Sequence, residues 1–446
     1  MASVAGSKDK QINSERAAPG AAKEGVAEST SGTKPTESGT ATGAPMGGAT
    51  RPAVVIAILF LVFFLGMSDN QMVSPLLPLM SKEFHLPEGD IGKMIAPAYA
   101  LAAAIAALIV GPASDQLGRR RFLLIASIVF GLSLLSVGFI RDIHTLAAVR
   151  FFTGLAAGTF STCSIAYVGD YFPYHKRGSA MSIVQSGYFV ALVVGVPLGS
   201  LLAQWRGWRA GFLAFGALAV VVFFMVLSLL PEDGHKLKHV PLSGDASGWF
   251  RNVALVFHTK ERIAAIAGAF FVSGGFVGFI LYMGSWLTTT HGLKTGQVGL
   301  VFAIVGISSL IGAIAAGPIA DKIGKRGVSL VSTIILALTL LLIPILGWGP
   351  LLFGTFLVAS LSYAFRQGPV QALATELVPR RARGALVATR TTASQVGIGI
   401  STAVCGMLYD SSGYRAVGLF CAVMSLAAAV CIFLMKEPAH RPSEEW

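Results

Sequence analysis

The length of its apolar runs constrains this chain more than anything else. AVVIAILFLVFFLGM (53–67) and AFGALAVVVFFMVLSLL (214–230) are two of twelve stretches beyond Arg51 in which hydrophobic residues follow one another instead of alternating. A helix needs about 20 such residues to cross a hydrocarbon core of about 30 Å. In lipid, only helices and closed barrels satisfy their own backbone hydrogen bonds. The chain is 54% hydrophobic and 13% charged, about half the charge of a soluble domain. The reading is an all-α membrane protein. It excludes a disordered chain, a secreted disulfide scaffold and a cytosolic enzyme. Cys163, Cys405, Cys421 and Cys431 all sit in apolar runs without a CxxC neighbour, as small buried hydrophobes do. The net charge of +12 is spread over short loops, so no nucleic-acid partner is expected.

The twelve expected spans are 52–79, 91–110, 122–140, 145–168, 179–203, 210–230, 263–288, 297–319, 328–347, 350–375, 384–408 and 415–435. The longest connection, 231–262, divides them six and six. The expected organisation is a disordered cytoplasmic tail at 1–50, a six-helix bundle at 51–230, a cytoplasmic linker at 231–262, a second six-helix bundle at 263–436 and a tail at 437–446. The linker contains GWFRNVALVFHTKER (248–262), mildly amphipathic and suited to the membrane surface. Sixteen Lys and Arg lie in or within three residues of loops 2/3, 4/5, 6/7, 8/9 and 10/11, against seven for the alternate loops. Basic loops stay in the cytoplasm, so both termini are expected there, in a bacterial inner membrane.

The two halves repeat. GPASDQLGRRR (111–121) matches GPIADKIGKRG (317–327) at an offset of 206. The same offset pairs Asp170 with Glu376, Pro173 with Pro379, and Gly207 and Arg209 with Gly413 and Arg415. Parallel repeats of six helices imply two pseudo-symmetric bundles facing each other across a cleft. Twelve spans in two such halves resemble the major facilitator superfamily, and the loop 2/3 sequence with Gly111, Asp115, Gly118, Arg119, Arg120 and Arg121 closely matches its signature. Gly317, Asp321, Gly324, Lys325 and Arg326 form a weaker copy. Arg150, Gly154 and Gly158 in span 4 are similar to its second motif. Gly66, Asp69, Pro75 and Pro78, followed by Gly195, Pro197, Gly199 and the Gly207, Trp208, Arg209 run, resemble the bacterial drug and metabolite efflux branch. The resemblance implies the major facilitator fold and transport by alternating access, with spans 1, 4, 7 and 10 lining the cleft.

Asp69 is the one acidic residue, of 22, deep inside an expected span. It lies 15 residues past Val54, about 22 Å along a helix. A carboxylate at that depth is costly and has to be neutral or paired. It is either a proton-coupling and substrate-cation site, or the wet end of a shorter span. Arg366 lies mid-span beside Gln367 and Gln371. It reads as a counter-ion for Asp69, a clamp for a substrate anion, or a packing residue on backbone carbonyls. The resemblance implies proton exchange for Arg150, with snorkelling as the alternative; for Arg390, snorkelling is the reading. Tyr99, Tyr188, Tyr282 and Tyr363 are expected as aromatic cavity walls beside Asp69, Arg366, Gln367 and Gln371. Trp286 either joins them or anchors at the interface.

Asp115 and Asp321 stand at span ends between glycines, where an anion can meet the positive N-terminus of a neighbouring helix. In this fold those neighbours are spans 11 and 5. With Gly118, Arg119, Asp170, Lys325 and Glu376 they are expected to gate the cytoplasmic side. His235 and His239 have the spacing of helical metal ligands but no HExxH acid, so no metal and no cofactor is expected. There is no P-loop, Rossmann glycine pattern or GxSxG motif, so energy should come from an ion gradient. The expected function is proton-coupled efflux of small organic molecules by a monomer whose partners are substrate, proton and lipid. The alternatives are a carrier of organic anions, phosphorylated metabolites or lysolipids, and a sensor without net flux.

Overall fold

The computed structural model describes residues 52–232, 255–378 and 383–435. Twelve long helices and no strand occur among them. In the first half, α1 is Pro52–Phe84, α2 Glu88–Leu117, α3 Arg119–Ser136 and α4 Ile143–Tyr171. The fifth, α5, begins as Tyr174–Val190, passes through a π-helical turn at Ala191–Gly195 and continues as Val196–Arg206; α6 is Arg209–Leu229. In the second half, α7 is Lys260–His291, α8 Thr295–Ile323, α9 Lys325–Leu342, α10 Pro350–Glu376, α11 Arg383–Ser412 and α12 Tyr414–Leu434. Several helices outrun their apolar cores, α1 to Phe84 and α2 to Leu117, because a helix keeps its hydrogen bonds beyond the hydrocarbon edge. The expected tail 1–50, the stretch 233–254 with His235 and His239, and residues 436–446 lie outside the described residues.

The halves are built alike. In the first, α2 and α3 pack on α4, α3 on α6 and α1 on α5; in the second, α8 and α9 pack on α10, α9 on α12 and α7 on α11. The repeated glycine of the sequence motif has a backbone task in both. Gly118 turns α2 into α3 at φ 95°, and Gly324 turns α8 into α9 at φ 105°, a region L side chains rarely enter. Ten of the helices are both long and apolar enough to cross a membrane. The exceptions are α10 and α11, which are long but carry Arg366, Gln367 and Gln371, and the polar run from Thr389 to Gln395.

Across the halves, α2 meets α11, α5 meets α8 and α1 meets α7. The close approaches lie towards the end away from the signature loops. The Ser74 hydroxyl donates to the Ile280 carbonyl at 2.6 Å and accepts from the Gly284 amide at 3.1 Å. Two helix starts are capped by the opposite half. Gly89, in the first turn of α2, donates its amide to Asp410 Oδ1 of α11 at 2.9 Å; Gly296, in the first turn of α8, donates to Gln204 Oε1 of α5 at 2.9 Å. At the signature end the hydrogen bonds and ion pairs described stay inside one half, and a side chain added at Gly178 of α5, Gly317 of α8 or Gly384 of α11 would meet nothing within 4 Å. The cleft therefore opens at the signature end.

Candidate functional site

The first half holds a buried ion pair. Asp69 of α1 and Arg150 of α4 are 0% and 1% exposed. The Arg150 Nη1 donates to Asp69 Oδ1 at 2.8 Å and to Oδ2 at 2.7 Å. The guanidinium lies 4.6 Å from the Tyr99 ring centre and 5.8 Å from that of Phe212. Tyr99 in turn donates its hydroxyl to the Gly66 carbonyl at 3.1 Å, one turn before Asp69. The motif glycines bring α4 this close: a Cβ at Gly154 would press on the Tyr99 carbonyl oxygen and stand 2.8 Å from its carbon, and one at Gly158 would stand 2.9 Å from the Ala103 backbone. Three expectations are corrected here. Asp69 is not the wet end of a span, because α1 continues four turns beyond it. Arg150 does not snorkel. The counter-ion of Asp69 is Arg150, not Arg366.

Arg366 is held in the second half. It is fully buried, donates Nη2 to the Val272 carbonyl of α7 at 2.7 Å and lies 5.4 Å from the Tyr363 ring centre. Its Nε and Nη1 have no hydrogen-bond partner. Tyr363 stacks on Phe276 at 3.8 Å, and its hydroxyl bonds the Tyr188 hydroxyl at 3.1 Å, α10 to α5. Gln71 donates to the Tyr188 carbonyl at 3.2 Å. Tyr188 and Tyr363 thus form an aromatic bridge between the halves. Tyr282 is elsewhere than the cavity wall: buried, it bonds the Thr402 carbonyl at 3.1 Å and faces Gly92 in the closed end. Trp286 is no interface anchor either, being buried in a stack on Tyr414.

Gln367 and Gln371 face a cavity of about 130 Å³ between α7, α10 and α11, which Arg390, Ser273, Ser394 and Gln395 also line. Arg390 was expected to snorkel. It is 7% exposed and turned inward, donating Nε to the Ala265 carbonyl at 3.2 Å and Nη1 to Gln371 Oε1 at 3.3 Å. The Ser273 and Ser394 hydroxyls bond each other across the cavity's α7 and α11 walls. The sequence reading missed Ser273, Ser394 and Gln395; the available signal was the polar run 389–395 inside an otherwise apolar span.

Among the described residues, the side chains expected to gate the cytoplasmic end pair within their own halves. Arg119 bonds both Asp115 and Asp170 at 2.7 Å, and Lys325 pairs with Glu376. Asp115 does not reach the start of α11, and Asp321, exposed, does not reach α5. The physical reason is the opening there, which separates α2 from α11 and α8 from α5. Among the described residues no group of three or more His, Cys, Asp or Glu side chains could hold a metal ion.

A family model described as the Major Facilitator Superfamily matches residues 59–307 and 265–445. An uncharacterized MFS-type transporter, YwfA, of Bacillus subtilis (strain 168) is 29% identical over 395 residues, 86% of this chain and 93% of the relative. The cis,cis-muconate transport protein of Acinetobacter baylyi is 23% identical over 402 residues, 88% of this chain and 96% of the relative. An MFS-type efflux pump of Mycolicibacterium smegmatis is 25% identical over 406 residues, 87% and 93%. Among solved structures, a D-xylose-proton symporter superposes with a TM-score of 0.73 at 18% identity, covering 86% of this chain and 97% of that one. A bacterial homologue of the lysosomal transporter Spinster, inward-facing and unoccupied, gives 0.67 at 17% identity, covering 87% and 98%. Two matched family segments over two like-built halves, around one interior cleft, make this chain a membrane transporter that belongs to the Major Facilitator Superfamily.

Proposed function

We propose that this transporter couples proton movement to the efflux of small organic molecules, with Asp69 and Arg150 as the coupling pair. The observation that carries the reading is the buried contact between the two. A carboxylate so deep keeps its charge only while a cation holds it. A proton arriving on Asp69 competes with Arg150 for the same oxygens, and its arrival frees the guanidinium. Making and breaking this bond gives the two states of the cleft different proton affinities, which is what coupling to a gradient requires. The basic loops, 16 Lys and Arg against seven, support a signature end facing the cytoplasm, so the cleft opens to the side from which an exporter loads. The relative named an efflux pump supports the direction. Asp115, Arg119 and Asp170, with Asp321, Lys325 and Glu376, are proposed to close that end when the far end opens.

Flux into proteoliposomes under an imposed pH gradient tests the reading. Asp69→Asn mimics the protonated form. It should abolish pH-driven transport while leaving substrate-for-substrate exchange measurable. Transport by Asp69→Asn that follows the gradient at the wild-type rate would refute the coupling role.

A second reading is a carrier of organic anions with Arg366 as the clamp. The buried Arg366, with two nitrogens unpartnered, supports it, as does the relative named for muconate transport. Arg366→Lys keeps the charge but loses the fork, so it should hurt anionic substrates most.

A further inference from the structure

The cavity between α7, α10 and α11 holds a charge, that of Arg390, which no described acidic side chain balances. Its polar wall consists of Ser273, Gln367, Gln371, Arg390, Ser394 and Gln395, with Thr391 beside them. None of these is acidic. The described acidic residues of the second half are Glu261, Asp321, Glu376 and Asp410, and each lies in the first or last turn of its helix. Arg390 sits about two turns inside α11, and its two recorded partners, the Ala265 carbonyl and the Gln371 amide oxygen, are neutral. A buried guanidinium without a counter-charge is costly, and the cost is relieved by an anion that also accepts its hydrogen bonds. The surrounding groups suit such an occupant. Amides from three glutamines, the Thr391 hydroxyl and one hydroxyl of the Ser273–Ser394 pair can donate.

We propose that this cavity is a carboxylate subsite, with Arg390 as the binding cation and Gln371 as the residue that positions it. One guanidinium among neutral donors balances one negative charge, which favours a carboxylate over a phosphate dianion. The volume of about 130 Å³ admits the acid end of a small organic molecule. Val272, whose carbonyl receives Arg366, and Ala265, whose carbonyl receives Arg390, are seven residues apart on α7, about 10 Å. Ala269 and Ser273 of the same helix line the cavity. The subsite therefore lies beside the Arg366 region and extends it towards the open end. The proposal rests on the reading of this chain as a transporter of small organic molecules and names a class among them.

The test is a thermal-shift titration of the purified full-length protein in detergent with acetate, benzoate and adipate, each against its amide, and with inorganic phosphate. Carboxylates should stabilise the wild type and the amides should not. Arg390→Gln should weaken the carboxylate response at least tenfold, and Arg390→Lys should give an intermediate loss. Should Arg390→Gln fail to fold, Arg390→Lys and Ser394→Ala carry the comparison, each expected to weaken carboxylates and leave the unliganded melting temperature within a few degrees. Equal responses in wild type and the Arg390 variants would overturn the proposal, as would no response to any carboxylate, a preference for phosphate, or a loss produced by Arg366→Gln alone. Binding at this subsite is read without flux, so its failure is distinct from failure of the coupling reading, which appears as pH-driven transport that survives in Asp69→Asn.

Discussion

Replacing Asp69 by Asn removes a charge and changes almost nothing else in shape. In the structure both carboxylate oxygens accept from one Arg150 nitrogen, at 2.8 and 2.7 Å, with neither residue more than 1% exposed. The substitution leaves Arg150 buried without a counter-ion, and the Arg150 Nε already has no hydrogen-bond partner. Removing one partner of a buried pair costs about 3–5 kcal/mol. The Tyr99 ring at 4.6 Å gives back only about 1–2 kcal/mol of cation–π attraction, and it does so in the wild type as well. Asp69→Asn should therefore lower stability by about 3 kcal/mol or more in equilibrium unfolding from mixed micelles. Arg150→Gln strands the carboxylate instead and should cost a similar amount. The double variant has no buried charge left, so its loss should fall short of the sum of the single losses by about 2 kcal/mol or more. A single-variant loss below about 1 kcal/mol, or simple additivity, would show that the two side chains do not hold each other as the geometry requires.

Three further outcomes follow from the packing and the charge pattern. A Cβ at Gly284 of α7 would stand 2.5 Å from the Ser74 carbonyl oxygen and 2.6 Å from its carbon; backbone cannot step aside cheaply, so Gly284→Ala should shift the population towards an open far end, read as longer spin-label distances between α1 and α7, and unchanged distances would contradict it. Asp115→Asn should reduce turnover while leaving substrate affinity within about threefold, since it alters the balance between states rather than the cavity; loss of binding with unchanged conformational distances would make Asp115 a ligand residue instead. An impermeant thiol reagent applied to intact cells should label a single cysteine placed at Gly292 and not one placed at Gly244, and the reverse pattern would invert the topology.

Much of the fold could be read from the chain because a membrane helix announces itself through a run of its own residues. The repeat at one offset needed only comparison of the chain with itself. Depth alone also singled out Asp69. Its partner could not be found that way: Arg150 is 81 residues away on α4, and only the packing of the Gly154 and Gly158 face on α2 brings the guanidinium inward. Arg390 failed for the opposite reason. Its position two turns into a span is compatible with snorkelling, and only the rotation of α11 about its axis decides that it turns towards Gln371. Asp115 and Asp321 were placed at the correct helix ends. Their partners depend on how far apart the halves stand, and that is a property of a state rather than of a sequence.

The two helix starts capped from the opposite half carry a difference in chemistry. Gly89 and Gly296 begin the related runs GDIG (89–92) and GQVG (296–299), and Asp410 and Gln204 stand at the repeat offset of 206. Duplication has thus kept one bond twice, and divergence has given it an ionisable acceptor on one edge and a neutral amide on the other. A carboxylate at a helix start gains about 0.3–1 kcal/mol from the helix dipole, and an amide gains much less. The α2–α11 edge is then the tighter seam and the α5–α8 edge the looser one, so the far end resembles a door with a hinge side and a latch side. A molecule passing through it meets an asymmetric aperture, although the scaffold around it is nearly twofold.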